Sequence, residues 1–421
     1  MTQTFTVSPG VTLLYHGDTR FKHGFFSLQF VRPMCAQEAA LSALVPSVLL
    51  RGCEGCPDLR SVSHRLDLLY GAVIGSMSRR TGDYLGTGLY CSFIEDRFAL
   101  PGDKVLEPLL SFLGELLLQP VLENGVFSSD FVESEKRNLI AAIESQRNDK
   151  RVYAEAQMLR TMCRADSYGI PRLGEKEQVA EATAERVYAQ YRRLLTHSQV
   201  ELFYAGSCPA DTLIAMLRPL FEKLSLQPMA LPPQTPFHDA GGSQLTERME
   251  VAQGKLSMGF VTPITMRDPQ FAALQAFNTV FGGGMVSKLF MNIREKQSLC
   301  YDISSSVYSS KGILTVNAGI DNDMEQPVRE QVLRQLAACQ QGQISEEELT
   351  AAKQALLSSL RCTKDAPASI ESYACSQRLG GLAMSPEEYA RAVQALTLED
   401  VVAAAKTVVP HTVYFLKGVS A

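Results

Sequence analysis

Long apolar runs are missing from this sequence. Its 421 residues are 46% hydrophobic and 20% charged, and no uninterrupted apolar stretch approaches the roughly 20 residues that a membrane-spanning helix needs. Residues 1–6 contain neither the basic start nor the apolar core of a secretion signal. We therefore predict a globular protein of the cytoplasm that does not enter a membrane.

Clusters of positive charge are missing as well. The chain contains 40 Lys and Arg against 45 Asp and Glu, which gives a net charge of -5. No segment combines basic and aromatic residues in the way that a nucleic-acid backbone selects. The sequence therefore predicts that nucleic acid is not a partner.

Histidines and cysteines do not form a metal-binding pattern. No two of the six histidines stand three or four residues apart, so each is interpreted as an ordinary polar or capping residue. Among the ten cysteines only Cys53 and Cys56 form a C-x-x-C pair. Without a second pair or a histidine partner, this pair is interpreted as part of a loop after a helix end, and its role stays open. The six histidines are His16, His23, His64, His197, His238 and His411.

The sequence does contain an internal repeat. Residues 26–33 align with residues 256–263 as strands ending in a turn, and the same offset aligns Gly52 with Gly282, each of which ends a predicted helix. Further strands and helices recur in the same order, and this order indicates a duplication. The recurring segments are helices at 41–50 and 271–281, extended runs at 72–77 and 303–308, long helices at 135–146 and from 345, and closing strands at 200–206 and 412–418. The sequence Ser-Glu-Glu-Glu at 345–348 predicts a capping box at the start of the second long helix.

The repeat sets the predicted organisation. Strands interleaved with separate helices favour an α+β fold with one helix-backed sheet in each half. We predict an N-terminal domain at residues 1–225, a linker at 226–245 and a C-terminal domain at 246–421. The linker is proline-rich and favours an extended course.

The second half carries the most informative motif. The glycines Gly282, Gly283 and Gly284 are followed by Ser-Lys-Leu-Phe at 287–290 and by Arg-Glu-Lys-Gln-Ser-Leu-Cys-Tyr at 294–301. This text resembles the insulinase-like (pitrilysin, M16) metallopeptidase family. The resemblance implies tandem domains with mostly antiparallel sheets. It also implies a zinc site in the first domain, built from a His-x-x-Glu-His helix and a distant Glu, and an Arg and a Tyr from a later domain.

Arg294 and Tyr301 match the Arg and Tyr of that family. Zinc activates a water molecule, and separate donors must stabilise the oxyanion that develops on the scissile carbonyl. The resemblance implies that a guanidinium and a phenol stabilise this oxyanion. Because residues 299–303 alternate like a strand, we expect Arg294 to end a helix and Tyr301 to begin the next strand. The glycine run is either a helix stop or a mobile loop that touches peptide backbone.

The zinc half of the resemblance is missing. Aligned on residues 49–52, the five motif positions hold Ala43, Leu44, Val45, Pro46 and Ser47, so both histidines and the general base are replaced. Pro46 should also distort the helix. The distant Glu is replaced by Ala142, and Glu144 is two positions further on and faces elsewhere on the helix.

Two functional hypotheses follow, and a third lacks support. The chain is either a zinc-free subunit that supplies Arg294 and Tyr301 to a His-x-x-Glu-His partner acting on unfolded peptides, or a homodimeric peptide-binding scaffold. In the first case zinc is expected only in the partner. In the second, an extended peptide adds to a sheet edge. A metalloenzyme with a different site finds no ligand cluster in the sequence.

Overall fold

We describe a computed structural model of the chain for residues 2–224, 226–239, 241–382 and 384–419. Residues 1, 225 and 240, which fall at the ends of the predicted first domain and within the predicted linker, lie outside the described residues. The strands are β1 Gln3–Ser8, β2 Val11–Gly17, β3 His23–Pro33, β4 Val73–Thr81, β5 Tyr84–Ile94, β6 Leu122–Glu123, β7 Val126–Phe127, β8 Gln199–Gly206, β9 Gln244–Met249, β10 Gly254–Val261, β11 Asp302–Tyr308, β12 Ile313–Ile320 and β13 Val409–Gly418. The α-helices are α1 Ala36–Leu49, α2 Leu59–Asp67, α3 Leu106–Leu118, α4 Ser129–Gln146, α5 Lys150–Met162, α6 Lys176–Ala180, α7 Ala184–His197, α8 Ala210–Glu222, α9 Phe271–Phe281, α10 Glu325–Gln340, α11 Glu346–Cys362, α12 Pro367–Gly380, α13 Pro386–Ala395 and α14 Leu398–Lys406.

Two mostly antiparallel sheets organise these elements, as the α+β prediction requires. The first sheet has the strand order β1-β2-β8-β3-β5-β4 and the second has the order β11-β12-β10-β13-β9. Read from opposite ends, β2-β8-β3-β5-β4 and β9-β13-β10-β12-β11 are the same arrangement, each with one parallel pair, β2 with β8 and β9 with β13. The duplication seen in the sequence is therefore also a duplication of topology.

The chain forms two compact units that do not follow the sequence halves. Unit 1 consists of Met1–Glu144, Ile170–Pro233 and Thr363–Leu379, and unit 2 consists of Ser145–Gly169, Gln234–Cys362 and Gly380–Ala421. The predicted boundaries at 225 and 245 remain a prediction about the sequence repeat. Within the predicted linker, residues 226–239 form neither helix nor strand, and β9 begins at Gln244.

Both faces of the unit 1 sheet are covered. The central strand β3 is buried over eight consecutive residues, because alternate side chains enter two different cores. Phe26, Leu28 and Phe30 belong to the main core with α1, α3 and α7. Phe25 faces the other way, into a smaller cluster with Ile370 of α12. Helix α12 is therefore the cover of the second face.

Unit 2 repeats this construction with a different covering helix. Leu256, Met258 and Phe260 of β10 pack in the main core with α9, α10 and α14. The opposite face lies against α5, where a side chain at Gly259 would come within 2.7 Å of the sulfur atoms of Met158 and Met162. The absence of a side chain at Gly259 lets α5 pack close to the strand.

A buried polar cluster fastens α12 to the unit 1 sheet. The carboxylate of Glu371 is 1% exposed. It accepts hydrogen bonds from Ser27 Oγ at 3.1 Å, from Gln29 Nε2 at 3.2 Å, and from both terminal nitrogens of Arg79 at 3.0 and 2.7 Å. Four donors compensate the loss of hydration of this charge, which a buried carboxylate requires.

A second carboxylate, Glu201 of β8, lies beside this cluster and is less well compensated. It is 2% exposed, and one oxygen accepts from Arg378 Nε of α12 at 2.9 Å. The other oxygen has no hydrogen-bond partner among the described residues. Burial therefore outweighs the arginine, and the pKa of Glu201 rises to about 7.

Helix α1 is longer at its start than predicted. It begins at Ala36, earlier than the predicted residue 41, and it continues past Pro46 to Leu49, where the Leu50 amide donates to the Pro46 carbonyl at 3.2 Å. The expected distortion does not end the helix, since its apolar face, with Leu44, Val45 and Val48, remains in the main core.

Among the described residues, no helix is both long and apolar enough to cross a bilayer.

The Glu371 cluster predicts a specific loss of stability. Replacing Glu371 by Ala leaves Arg79 as a largely buried, unpaired charge, and removal of one partner from a buried pair costs about 3–5 kcal/mol. Ser372→Ala, on the exposed side of the same helix, should change the free energy of unfolding by less than about 0.5 kcal/mol. Urea unfolding of both variants checks this, and equal effects would contradict the anchoring role.

The raised pKa of Glu201 predicts a pH dependence. Because the folded pKa of about 7 exceeds the ordinary value of 4.5, the folded state holds this proton more tightly than the unfolded chain. Its contribution to stability is complete below pH 4.5 and is lost by pH 7, a change of about 3 kcal/mol. In urea titrations across this range, the stability of wild type relative to Glu201→Gln should fall as the pH rises. Glu222→Gln, an exposed substitution, should show no such trend.

Candidate functional site

Arg294 lies in a short π-helical segment of unit 2, Phe290–Glu295. The Lys296 amide donates to the Met291 carbonyl five residues back, at 3.1 Å, and such widened turns are frequent at functional sites. Ile293 points into the core, whereas the Arg294 side chain is 40% exposed and its guanidinium lies 4.6 Å from the centre of the Phe290 ring. The segment thus presents a cation at the surface on a fixed aromatic support.

Tyr301 follows after a tight turn and stands directly before β11. Ser298 adopts a left-handed backbone, with φ of 51°, and the Tyr301 amide donates to the Gly319 carbonyl at 2.8 Å. Arg294 Nε donates to the backbone carbonyl of Tyr301 at 2.9 Å. The two residues are therefore brought together by a turn and not by one continuous helix, as predicted, and their contact is between guanidinium and backbone.

The phenol of Tyr301 has its own partner, Asp321. The hydroxyl donates to Asp321 Oδ1 at 2.9 Å, and Tyr301 is 51% exposed. The hydrogen bond and the negative charge of Asp321 raise the pKa of the phenol above its usual value. Tyr301 therefore remains protonated at neutral pH, and it is a hydrogen-bond donor whose direction Asp321 fixes.

The three glycines have different environments. Gly282 ends α9 and is buried, and its carbonyl accepts from the Ser305 amide at 2.9 Å. A side chain there would lie 2.6 Å from Ser305 Oγ and 2.7 Å from Leu289 Cδ1. A side chain at Gly284 would meet no atom within 4 Å. The geometry gives Gly282 the role of a helix stop, whereas Gly283 and Gly284 belong to an exposed loop.

That loop ends in two exposed apolar side chains and is anchored behind them. Met285 is 76% exposed and Val286 is 65% exposed. Lys288, which follows, is 9% exposed and donates to both oxygens of Glu348 at 2.8 Å. Glu348 also caps α11 by accepting from the Ser345 amide at 2.9 Å, as the predicted capping box requires. The apolar tip is thus held on a rigid base.

The positions that correspond to the zinc site lie in unit 1. Pro46 is buried in α1, Ala43 and Ser47 are half-buried on the same helix, and Ala142 is exposed on α4. Both histidine positions and both glutamate positions therefore lack an imidazole or a carboxylate. These residues do not fit a zinc ion, which needs nitrogen, sulfur or carboxylate ligands. Across the described ranges, no three His, Cys, Asp or Glu side chains are grouped to hold a metal.

The surviving acidic residues near these positions have other partners. Glu135 lies 3.3 Å from the guanidinium of Arg51 at the end of α1, and Arg51 also packs over the Phe131 ring at 5.7 Å. Glu144 pairs with Lys176 on α6, so it faces away from α1 as its helical position predicts. The ion pair of Arg51 and Glu135 therefore links the segment just after α1 to α4.

Comparison with known proteins agrees with this geometry. The family profile described as peptidase M16 inactive domain matches residues 181–356. The chain is 28% identical over 400 residues to the probable inactive metalloprotease YmfF of Bacillus subtilis (strain 168), covering 95% of this chain and 94% of that protein. The chain is therefore similar to inactive members of the M16 peptidase family, and its replaced zinc positions agree with this similarity.

Solved structures extend the similarity in fold over the whole length. A conserved protein from Enterococcus faecalis V583 superposes with a TM-score of 0.93 at 26% identity, covering 100% of this chain and 99% of that one. A peptidase M16 inactive domain from Pseudomonas fluorescens gives 0.82 at 19% identity, with the same coverage, and supports the fold alone. The M16 fold therefore accounts for the entire chain.

Sequence reasoning missed three residues that shape the Arg294 and Tyr301 region. Asp321 lies twenty residues beyond Tyr301 and reaches it only because β11 and β12 form a hairpin. Phe290 becomes the support of Arg294 through the π-helical turn. Ser305 fixes Asn278 at the end of α9 through a 2.7 Å hydrogen bond. Of these three residues, only Asp321 could have been found from the sequence, by predicting the register of the β11–β12 hairpin.

The glycine environments predict opposite effects of two similar substitutions. Gly282→Ala should destabilise the fold by about 1–3 kcal/mol, because the new methyl group overlaps Ser305 and Leu289 in a packed core. Gly284→Ala should change the free energy of unfolding by less than about 0.5 kcal/mol. Thermal and urea unfolding of the pair measure this. A neutral Gly282→Ala variant would contradict the tight packing of Gly282 against Ser305 and Leu289.

Proposed function

We propose that this chain is a non-catalytic M16 subunit that offers Arg294 and Tyr301 to a peptide carbonyl held beside the zinc of a His-x-x-Glu-His partner. The observation that carries the proposal is an asymmetry. The zinc positions Ala43, Pro46, Ser47 and Ala142 have lost their chemistry, whereas Arg294 and Tyr301 are exposed, fixed and chemically intact as donors.

The chemistry of the two donors supports this role. Arg294 donates to the Tyr301 carbonyl through Nε. Its two terminal nitrogens are therefore left to donate to a bound substrate. Nη1 is 3.3 Å from Glu295, an exposed ion pair that contributes little and exchanges readily. A substrate carbonyl that develops negative charge is a stronger acceptor than water, and two prepositioned donors would stabilise it.

The loop of Gly283, Gly284, Met285 and Val286 completes the proposed surface. Gly284, where a side chain would meet no atom within 4 Å, allows a peptide backbone to approach, and two exposed apolar side chains offer contact to unfolded, apolar segments. An unfolded peptide is the substrate class that such a surface suits. The partner in this proposal is an M16 relative with an intact zinc motif, and this chain acts in the cytoplasm.

A second candidate function is a homodimeric peptide-binding scaffold without a part in proteolysis. It is favoured by outer strands such as β4 and β11, each of which pairs with a single neighbour among the strands that the structure describes. An extended peptide adds to such an edge through main-chain hydrogen bonds and needs no metal. This alternative makes Arg294 and Tyr301 dispensable.

Reconstitution with a partner distinguishes the two functions. The chain alone should not cleave an unstructured fluorogenic peptide, whereas its complex with a His-x-x-Glu-His M16 relative from the same cell should. Arg294→Ala and Tyr301→Phe should lower kcat of the complex by about 10²- to 10³-fold, as loss of an oxyanion donor does, without weakening assembly. Cleavage is measured by fluorescence and assembly by size-exclusion chromatography.

Two matched substitutions serve as controls. Lys296→Ala removes an exposed cation two residues from Arg294, and Tyr70→Phe removes another exposed phenol that donates to an aspartate, Asp103. Both should leave kcat within twofold of the wild-type complex. Full activity of Arg294→Ala and Tyr301→Phe complexes would overturn the trans-acting role and leave the scaffold function. Cleavage by the isolated chain would overturn both.

A further inference from the structure

The C-x-x-C pair is not used by the proposed function, and its geometry is unusual. Cys53 and Cys56 face each other across a tight turn: the Cys53 amide donates to the Cys56 carbonyl at 2.8 Å, and the Cys56 amide donates back to the Cys53 carbonyl at 2.9 Å. A doubly hydrogen-bonded antiparallel pair has a Cα separation of about 5.5 Å. A disulfide spans about 4.4–6.8 Å, so the backbone is already arranged for one.

Contacts on both sides hold the turn in this form. The Glu54 amide at its tip donates to the Gln119 carbonyl, just after α3, at 2.9 Å. Before the turn, any side chain at Gly52 would lie 2.6 Å from the Cys56 carbonyl oxygen. The turn therefore has little freedom to separate the two cysteines.

A cation lies next to one of the sulfurs. Arg65 Nη1 is 4.0 Å from Cys56 Sγ. The guanidinium is fixed by Glu115, with its two contacts at 2.5 and 2.7 Å, and by the Phe112 ring, whose centre is 4.3 Å away. Reactive cysteines are found in electropositive surroundings of this kind.

The two thiols differ in a way that assigns them different parts. Cys53 is 0% exposed, whereas Cys56 is 6% exposed and is the one beside Arg65. Burial raises the pKa of the Cys53 thiol, and the amides of Gly55 and Cys56, which donate to its sulfur, only partly oppose this. Cys56 is thus the less buried thiol and the one beside the cation, and Cys53 is the more buried thiol.

We propose that Cys53 and Cys56 form a peroxide-responsive dithiol in which Cys56 is oxidised first and Cys53 resolves it to an intramolecular disulfide. The Cys56 thiolate attacks a hydroperoxide oxygen, the O–O bond breaks, and a sulfenic acid forms with release of water or an alcohol. The Cys53 sulfur then attacks the Cys56 sulfur and expels the sulfenic oxygen as water. Overall, two thiols and one hydrogen peroxide give one disulfide and two water molecules.

A metal is a poorer occupant for this pair. A structural metal site needs about four ligands, and within the described ranges no third His, Asp, Glu or Cys completes a group with these two sulfurs. The remaining cysteines are well separated along the chain from this pair. A reversible disulfide is also the form that a redox-sensing cysteine pair takes in a reducing compartment.

Peptide mapping of the full chain tests the proposal. Tryptic cleavage after Arg51 and Arg60 releases both cysteines in one peptide, residues 52–60. After treatment of the native protein with equimolar hydrogen peroxide, then acid quenching and alkylation in denaturant, this peptide should be about 2 Da lighter than its dithiol form and unalkylated. Dithiothreitol should restore two alkylated thiols.

Variants separate this chemistry from general oxidation. Cys53→Ser should stop at a sulfenic acid on Cys56 that dimedone captures. Arg65→Gln should slow disulfide formation at least tenfold, and Arg65→Lys, which retains the charge, should recover most of the rate; circular dichroism confirms that each variant is folded. The proposal is overturned if peptide 52–60 keeps two free thiols while the exposed Cys362 is oxidised, or if Cys53→Ser gives no dimedone adduct.

Discussion

The fold of unit 1 depends on how its central strand buries polar side chains. Strand β3 has apolar residues on one face and Ser27 and Gln29 on the other, and both faces lie away from water. Buried polar groups without partners are costly, so the second face needs a cover that brings its own acceptor. Helix α12 does this through Glu371, whose carboxylate binds Ser27, Gln29 and Arg79 together. A purely apolar helix of the same shape would leave these groups unsatisfied.

The same constraint explains why the two compact units cross the sequence halves. A sheet that packs one face against a helical layer still has a second face that needs a cover. Here a helix covers that second face in each unit: α12 in unit 1 and α5 in unit 2. The unit 2 cover also brings a polar partner, since Glu155 of α5 accepts from Thr315 Oγ1 at 2.8 Å. Asp166, in the segment that follows α5, pairs with the fully buried Lys311 at 3.0 Å. Buried charge in this protein therefore serves attachment and specificity, and it is separate from the exposed donors of the candidate site.

Local patterns in the sequence predict much of the fold, and long-range pairing explains what they do not predict. Helix α9 has its predicted bounds, because an apolar run ends at Gly282, and the capping box at Ser345 begins α11 as expected. The Glu371 cluster joins residues that are 292 positions apart, and no local signal points to it. Two details of the candidate site fail to be predicted for the same reason: Asp321 depends on strand register, and the π-helical turn depends on packing around Ile293.

Arg294 and Tyr301 are each held in place by a neighbouring group. Tyr301 is 51% exposed, yet its hydroxyl has a partner, because it donates a hydrogen bond to Asp321, which favours the neutral phenol. Arg294 is tied through Nε to the backbone of the same tyrosine. A carbonyl that binds here must displace Asp321 from the phenol, so a neutral ground-state carbonyl gains little, whereas an oxygen that carries developing charge gains more. Because Ala43, Pro46, Ser47 and Ala142 offer no zinc ligand, the proposed function assigns the attacking water to another subunit.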